Sequence, residues 1–323
     1  MHRFLVVIVT VLLTGFAAGC SRDAPDGDAA VGSEQPRSTM ISSAPAFRTS
    51  PDSPPPTAEQ RPVTIEQHGE TRTDAYAWLR DADWQEVLRD PSQLAADIRV
   101  HLEAENRYYE DATAELAGLR ETLVQEMRGR IKEDDSSVPL PDGPWAYAVR
   151  YREGGQYPVF VRTPREGGDE TGLYDGDREG EGEDFFDIGA VEHSPDHRWI
   201  AYGVDRTGSE YYDIRVRNIE SGEEYDETIT STDGGAVWAA DSRSFYYIER
   251  DDHQRPKRVK HHVLGTDPAD DRLVYEEPDD SFFLGVSKSL SGEYIFITAS
   301  KTTSSEARFL PATAAERALT EGR

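Results

Sequence analysis

The spacing of apolar positions changes character once along the chain. Leu94, Ile98, Leu102, Tyr109, Leu116, Leu119, Leu123 and Met127 fall three, four or seven residues apart, which is one stripe of a helix. Asp90-Pro91-Ser92-Gln93 opens it, with aspartate as cap, proline where its missing N–H costs nothing, and glutamine completing a capping box. The spacing predicts a helix of about 30 residues or more, broken at Gly118 and charged on its other side. The helical pattern stops at Arg130–Asp135, and from Ser137-Val138-Pro139 onward the period is that of strands.

Within the strand region one phrase recurs. Ser194–Tyr202 reads as a small polar turn followed by an aromatic and β-branched run, and Leu140–Ala148, Ala239–Tyr247 and Ser289–Ile297 are degenerate copies. Turn followed by buried strand is the local reading. The copies begin at residues 140, 194, 239 and 289, spaced like the roughly 40–50 residues of a four-stranded propeller blade. Arg206–Glu210 and Ser221-Gly222-Glu223 bracket a further strand between two copies. A β-sandwich also has short strands, but it does not predict one phrase returning at a blade-sized interval.

Composition narrows the partners. The 62 acidic residues against 35 basic ones give a formal charge of −27, which argues against a nucleic-acid partner, since a phosphate backbone needs cationic contacts. Excess acid instead makes a soluble, self-repelling surface.

Residues 1–20 carry Arg3, the apolar run Phe4–Ala18 and the small residues Ala17-Ala18-Gly19, the pattern of a signal peptide rather than a spanning helix. Cys20, the only cysteine, follows directly. The junction resembles a lipoprotein box and makes Cys20 the candidate lipidation site, although plain cleavage after Gly19 fits the same residues. The expected location is the periplasm or cell envelope, with Cys20 holding the chain to a membrane. Residues 21–62 are rich in Pro, Ser, Asp and Ala and cannot bury enough to fold, so they are expected to form a tether.

Candidate chemistry is sparse. His193 and His197 flank a turn, and His261-His262 are adjacent, with neither pair in a HExxH or cysteine frame, so no metal site is expected. The acidic run Glu166–Asp187 does not match EF-hand ligand positions and is expected to be a solvated, extended loop. No G-x-S-x-G nucleophile elbow occurs: Gly208-Ser209 lies in a polar loop, and Gly285–Ser289 ends on serine. No histidine follows His262. No catalytic residue, cofactor-binding residue or cofactor is therefore assigned.

Several segments together resemble a known family. Thr71–Asp81, Leu102–Asn106, Arg130–Asp135 with Ser137-Val138-Pro139, Asp184-Phe185-Phe186 through Asp196, Val237–Asp241, Arg255-Pro256 with Leu264–Pro268, Tyr275–Asp279 and Lys301–Glu306 are similar, in order, to the amino-terminal part of the oligopeptidase B branch of the prolyl oligopeptidase family of serine peptidases. Ala75 departs from a proline usual there. The resemblance implies a seven-bladed propeller covering an α/β-hydrolase domain and admitting short or unfolded peptides, with the catalytic triad in the carboxy-terminal domain and so at no position of this chain.

The expected architecture is mainly β: an incomplete β-propeller of about three and a half blades of the seven-bladed type, preceded by a long amphipathic helical segment. The expected divisions are 1–20 signal peptide, 21–62 tether, 63–136 extended arm and helices, 137–310 partial propeller and 311–323 tail. The expected function is that of the propeller region of an exported serine-type endopeptidase, inactive alone. Peptides become substrates only with a hydrolase partner, and self-association is the other route to covering open faces, on which Trp145, Tyr147, Ile295 and Ile297 are expected. A non-catalytic periplasmic binding or assembly module is the alternative.

Overall fold

The computed structural model describes residues 54–313; the segment expected to be a signal peptide, Cys20, and most of the segments expected to be tether and tail lie outside them. The described residues form two compact units, one of residues 54–77 with Ala96–Glu121, the other of Trp78–Ala95 with residues 122–313.

The first unit holds a hairpin, β1 (Val63–Gln67) and β2 (Glu70–Asp74), and helix α2 (Ala96–Thr113). The Arg61 guanidinium reaches Asp97, near the start of α2, at 2.5 Å. The second unit contains the short helix α1 (Trp84–Arg89). Helix α3 (Ala117–Arg128) runs from the first unit into the second.

The long helix is divided differently from the expectation. Asp90 caps only a 3₁₀ turn, Pro91–Gln93, accepting from the Ser92 N–H at 3.0 Å. Gln93 donates to the Asp90 side chain at 2.9 Å and does not complete a capping box. Leu94 is extended, with ψ 130, so α2 begins only at Ala96. The break falls at Ala114–Leu116 and not at Gly118. Thr113 explains it: its hydroxyl donates to the Tyr109 carbonyl at 2.7 Å, a bond that bends helices. Along the apolar stripe Ile98 is buried, whereas Tyr109, Leu119, Leu123 and Met127 are exposed.

The second unit carries the strand pattern. Strands β3 (Leu140–Asp142), β4 (Trp145–Arg150), β5 (Val159–Pro164) and β6 (Thr171–Asp175) form one antiparallel four-stranded sheet. Strands β7 (Asp187–His193), β8 (Trp199–Asp205), β9 (Tyr212–Asn218) and β10 (Ile229–Thr232) form a second set of four. Strands β11 (Val237–Trp238), β12 (Ser244–Arg250), β13 (Pro256–Val263) and β14 (Arg272–Glu276) form a third. Strands β15 (Phe283–Lys288), β16 (Tyr294–Lys301) and β17 (Ser304–Pro311) follow as a three-stranded sheet. These are three four-stranded blades and a fourth of three strands, the partial propeller that the recurring phrase predicts. The second and third blades are one continuous sheet, joined where Thr232 pairs with Glu249.

The cores lie between blades, and strand alternation fills them. On β8, Ile200, Tyr202 and Val204 join Tyr174 and Phe186 against the first blade, while Ala201 faces the third. On β12, Phe245 and Tyr247 pack with Trp238, Ile214 and Val216, while Tyr246 and Ile248 pack with Ile295, Ile297 and Leu310 of the fourth. A strand buried on both faces reads as an unbroken apolar run, which is why the phrase ends in one.

Two further expectations change. Ile295 and Ile297 are buried against the third blade, because the inner faces of the fourth blade already have a neighbour. Trp145 and Tyr147 are half-buried, covered by Arg162 and His193 respectively. The large apolar residues that the fourth blade does expose are Phe283, Leu290, Tyr294 and Phe309. The acidic run is also no extended loop: it forms β6 and the short helix α4 (Gly176–Glu179). Several of its acids are paired, among them Glu179 with Arg217 at 2.8 Å and Glu183 with Arg206, while Glu181 and Asp184 are exposed.

Candidate functional site

Each copy of the recurring phrase is the turn between the first and second strand of its blade. The left-handed position of that turn is occupied by Gly143, His197, Ser242 and Gly292, with φ between 53 and 73. Glycine adopts this conformation freely, whereas a side chain there is strained.

The residue before it holds the turn closed in three blades. Asp196 accepts from the Arg198 N–H at 3.2 Å, Asp241 from Arg243 at 2.9 Å, and the Ser291 hydroxyl from Glu293 at 3.3 Å. In the first blade the donor position is Pro144, which has no N–H. Asp142 turns instead toward the second blade, where its carboxylate lies 2.9 Å from His193 Nε2.

The four turns border one groove of about 720 Å³, lined among others by Asp142, Glu192, His193, Trp238, Lys288 and Leu290. Its charges perturb one another. Crowding by the groove walls raises the Glu192 carboxyl, against the pull of Lys288, although its side chain still meets solvent. Burial lowers the Lys288 ammonium, with Asp142 and Glu192 opposing. The hydrogen bond to His193 lowers Asp142, and burial lowers His193. A groove with both signs of charge suits a polar, partly apolar guest such as a peptide better than a polyanion.

Among the described residues, the serine hydroxyls of these turns are engaged within the turns themselves, Ser194 with Asp196 and Ser289 with Ser291. The Ser194 hydroxyl accepts from Trp199 N at 3.0 Å, and that of Ser289 from Tyr294 N at 3.1 Å. Ser209, the serine of the polar loop, is buried and contacts Thr207 at 2.8 Å.

The histidine pairs part company. His261 and His262 are neighbours on β13 and point to opposite faces. His262 is enclosed by Asp271 at 2.8 Å and Glu227 at 3.5 Å, while His261 lies against the Tyr246 ring. His193 and His197 come together with Asp142, their ligand atoms all within 4.8 Å of one another. Asp142, Glu192 and Lys288 were not singled out from the sequence. The available signal was the alignment of the four phrases, in which Pro144 stands where the other blades have an N–H. Cys20 lies outside the described residues.

The comparisons with known proteins agree with this architecture. The family described as prolyl oligopeptidase, N-terminal β-propeller domain, matches residues 55–321. Dipeptidyl aminopeptidase BI of Pseudoxanthomonas mexicana is 37% identical over 85% of this chain and 39% of its own length. Protease 2 of Moraxella lacunata is 31% identical over 78% of this chain and 36% of its own length. Among solved structures, oligopeptidase B from Leishmania major superposes with a TM-score of 0.72 at 26% identity, covering 84% of this chain and 38% of that one. The chain thus spans less than two fifths of the length of these relatives. Blade count, turn phrase and matches together place it in the prolyl oligopeptidase family, of which it is the N-terminal β-propeller domain.

Proposed function

We propose that the chain is the propeller region of an exported oligopeptidase B-like serine endopeptidase, limiting access to short or unfolded peptides while residues outside these 323 supply catalysis. The family match over residues 55–321 carries the reading. The mixed-charge groove supports it, and so does the lack of a nucleophile elbow in the sequence. Export and anchoring rest on residues 1–20 and Cys20. One acyl chain holds a protein only marginally, so stable attachment takes more than one. A Cys20→Ser chain should leave the membrane fraction; retention there would count against anchoring.

The function is tested by replacing the matched segment of dipeptidyl aminopeptidase BI with residues 55–321. The chimera should hydrolyse short reporter peptides and spare a folded protein substrate. Cleavage of both would remove the gating role, and a folded, monomeric chimera cleaving neither would favour a non-catalytic binding module. The name of that relative favours a second reading, removal of dipeptides from a free amino terminus. Reporters with free and blocked amino termini separate it from endopeptidase action.

A further inference from the structure

We propose that Asp142, His193 and His197 form a binding site for a divalent transition-metal ion of the zinc class, which fastens the first blade to the second. These three side chains offer ligand atoms all within 4.8 Å of one another. Zinc bonds to nitrogen and oxygen run about 2.0–2.2 Å, which sets ligand atoms on one tetrahedral ion about 3.4 Å apart. Asp142 and His193, now 2.9 Å apart, separate by about 0.5 Å to admit the ion, and the His197 nitrogen closes on them by up to about 1.4 Å, both within side-chain rotation.

Two independent departures from the repeat converge here. Asp142 is free for the role because Pro144 removes the N–H that its counterparts bind. His197 occupies the left-handed position that two of the other three turns give to glycine, at φ 61. A histidine held in a strained backbone position for no contact would be a cost without return.

The surroundings suit a ligand set. The Tyr147 hydroxyl lies 2.8 Å from His197 Nδ1, fixing the ring through one nitrogen as outer partners of metal-bound histidines do. The other nitrogen faces Gly143, where a Cβ would come within 2.4 Å, so the glycine keeps that side clear. The Tyr147 ring stacks on His193 at 3.6 Å, and Arg162 donates to the His197 carbonyl at 2.6 Å. Two imidazoles and one carboxylate select zinc, cobalt, nickel or copper over magnesium or calcium, which prefer oxygen alone. Asp142 and His193 line the groove, so the remaining coordination position opens toward it for water or a carboxylate of a guest. Lys288 repels the cation and Glu192 attracts it, both facing the same groove.

The test uses the full chain without a polyhistidine tag, stripped with chelator and titrated with Zn²⁺ and with Co²⁺. One Zn²⁺ per chain is expected, with visible cobalt absorption of four- or five-coordinate character and a raised melting midpoint. Asp142→Asn and His197→Gln should weaken binding about tenfold or more, while His253→Gln, on the surface, leaves it unchanged. Unaltered binding in the first two variants overturns the proposal, as does no saturable binding in the parent. Should those variants fail to fold, diethyl pyrocarbonate labelling of the parent decides: Zn²⁺ should protect His193 and His197 but not His68 or His253. Equal labelling with and without zinc overturns the site.

Discussion

The joint between the second and third blades and the joint between the first and second are built from different materials. At the former, Thr232 pairs through the backbone with Glu249, and the Asp196 N–H donates to the Ser242 hydroxyl at 2.9 Å. The Trp238 indole donates across to the Glu192 carbonyl at 2.9 Å, and Gly203 lies so close to Gly234 that a Cβ would meet its carbonyl at 2.3 Å. The first blade has no strand hydrogen-bonded to the second. Besides the Tyr174–Phe186 core, it is tied there by Asp142 to His193, Tyr147 to His197 and Arg162 to the His197 carbonyl. One joint depends on backbone and volume, whereas the other depends on groups that ions and protons can reach.

The largest expected effect breaks the backbone-rich joint. Trp238→Ala removes a side chain that is 2% exposed and should cost about 3–5 kcal/mol in urea unfolding. A loss near that of a surface substitution would mean the joint is not tightly packed.

Glu249→Gln isolates a charge by which this largely backbone-built joint is expected to answer to pH. Burial pushes this carboxyl up, but Lys260 at 2.7 Å and Arg258 at 2.8 Å overcome it, leaving it below the ordinary carboxylate range. A depressed carboxyl stabilises the fold above its unfolded pKa, and that contribution disappears as pH falls through the folded value. The variant should therefore be less stable by about 1–2 kcal/mol at pH 7 and approach the parent in acid. A difference that persists in acid would assign the effect to packing.

The smallest effect belongs to the side-chain joint. Tyr147→Phe deletes the contact with His197 and should cost about 0.5–1.5 kcal/mol. A loss matching that of Trp238→Ala would erase the distinction between the joints.

What was legible in the sequence was the blade and its repeat, because a left-handed turn and a strand buried on both faces each restrict residue choice locally. The divided helix was not, since the bond from Thr113 to Tyr109 is open to any helical threonine and leaves no mark on periodicity. The placement of Ile295 and Ile297 was misread because an alternating strand does not say which of its faces has a neighbour. The acidic run was misread for a similar reason: Arg206 and Arg217, which pair with Glu183 and Glu179, lie 23 and 38 residues downstream. The Asp142 cluster needed Pro144 to be read against the other three turns.

The order of strands has a kinetic consequence. Nearly every strand of the second unit pairs with the one next to it in sequence, and the exception, β10 with β12, skips only the two-residue β11. Loop closure is then short at each step, and chains dominated by local pairing fold faster than those that await distant partners. A blade can form its hydrogen bonds before the next has been synthesised or delivered, leaving the inter-blade cores to close afterwards. In pulsed hydrogen exchange, amides inside a blade should gain protection before the N–H of the Trp238 indole, whose acceptor belongs to the neighbouring blade.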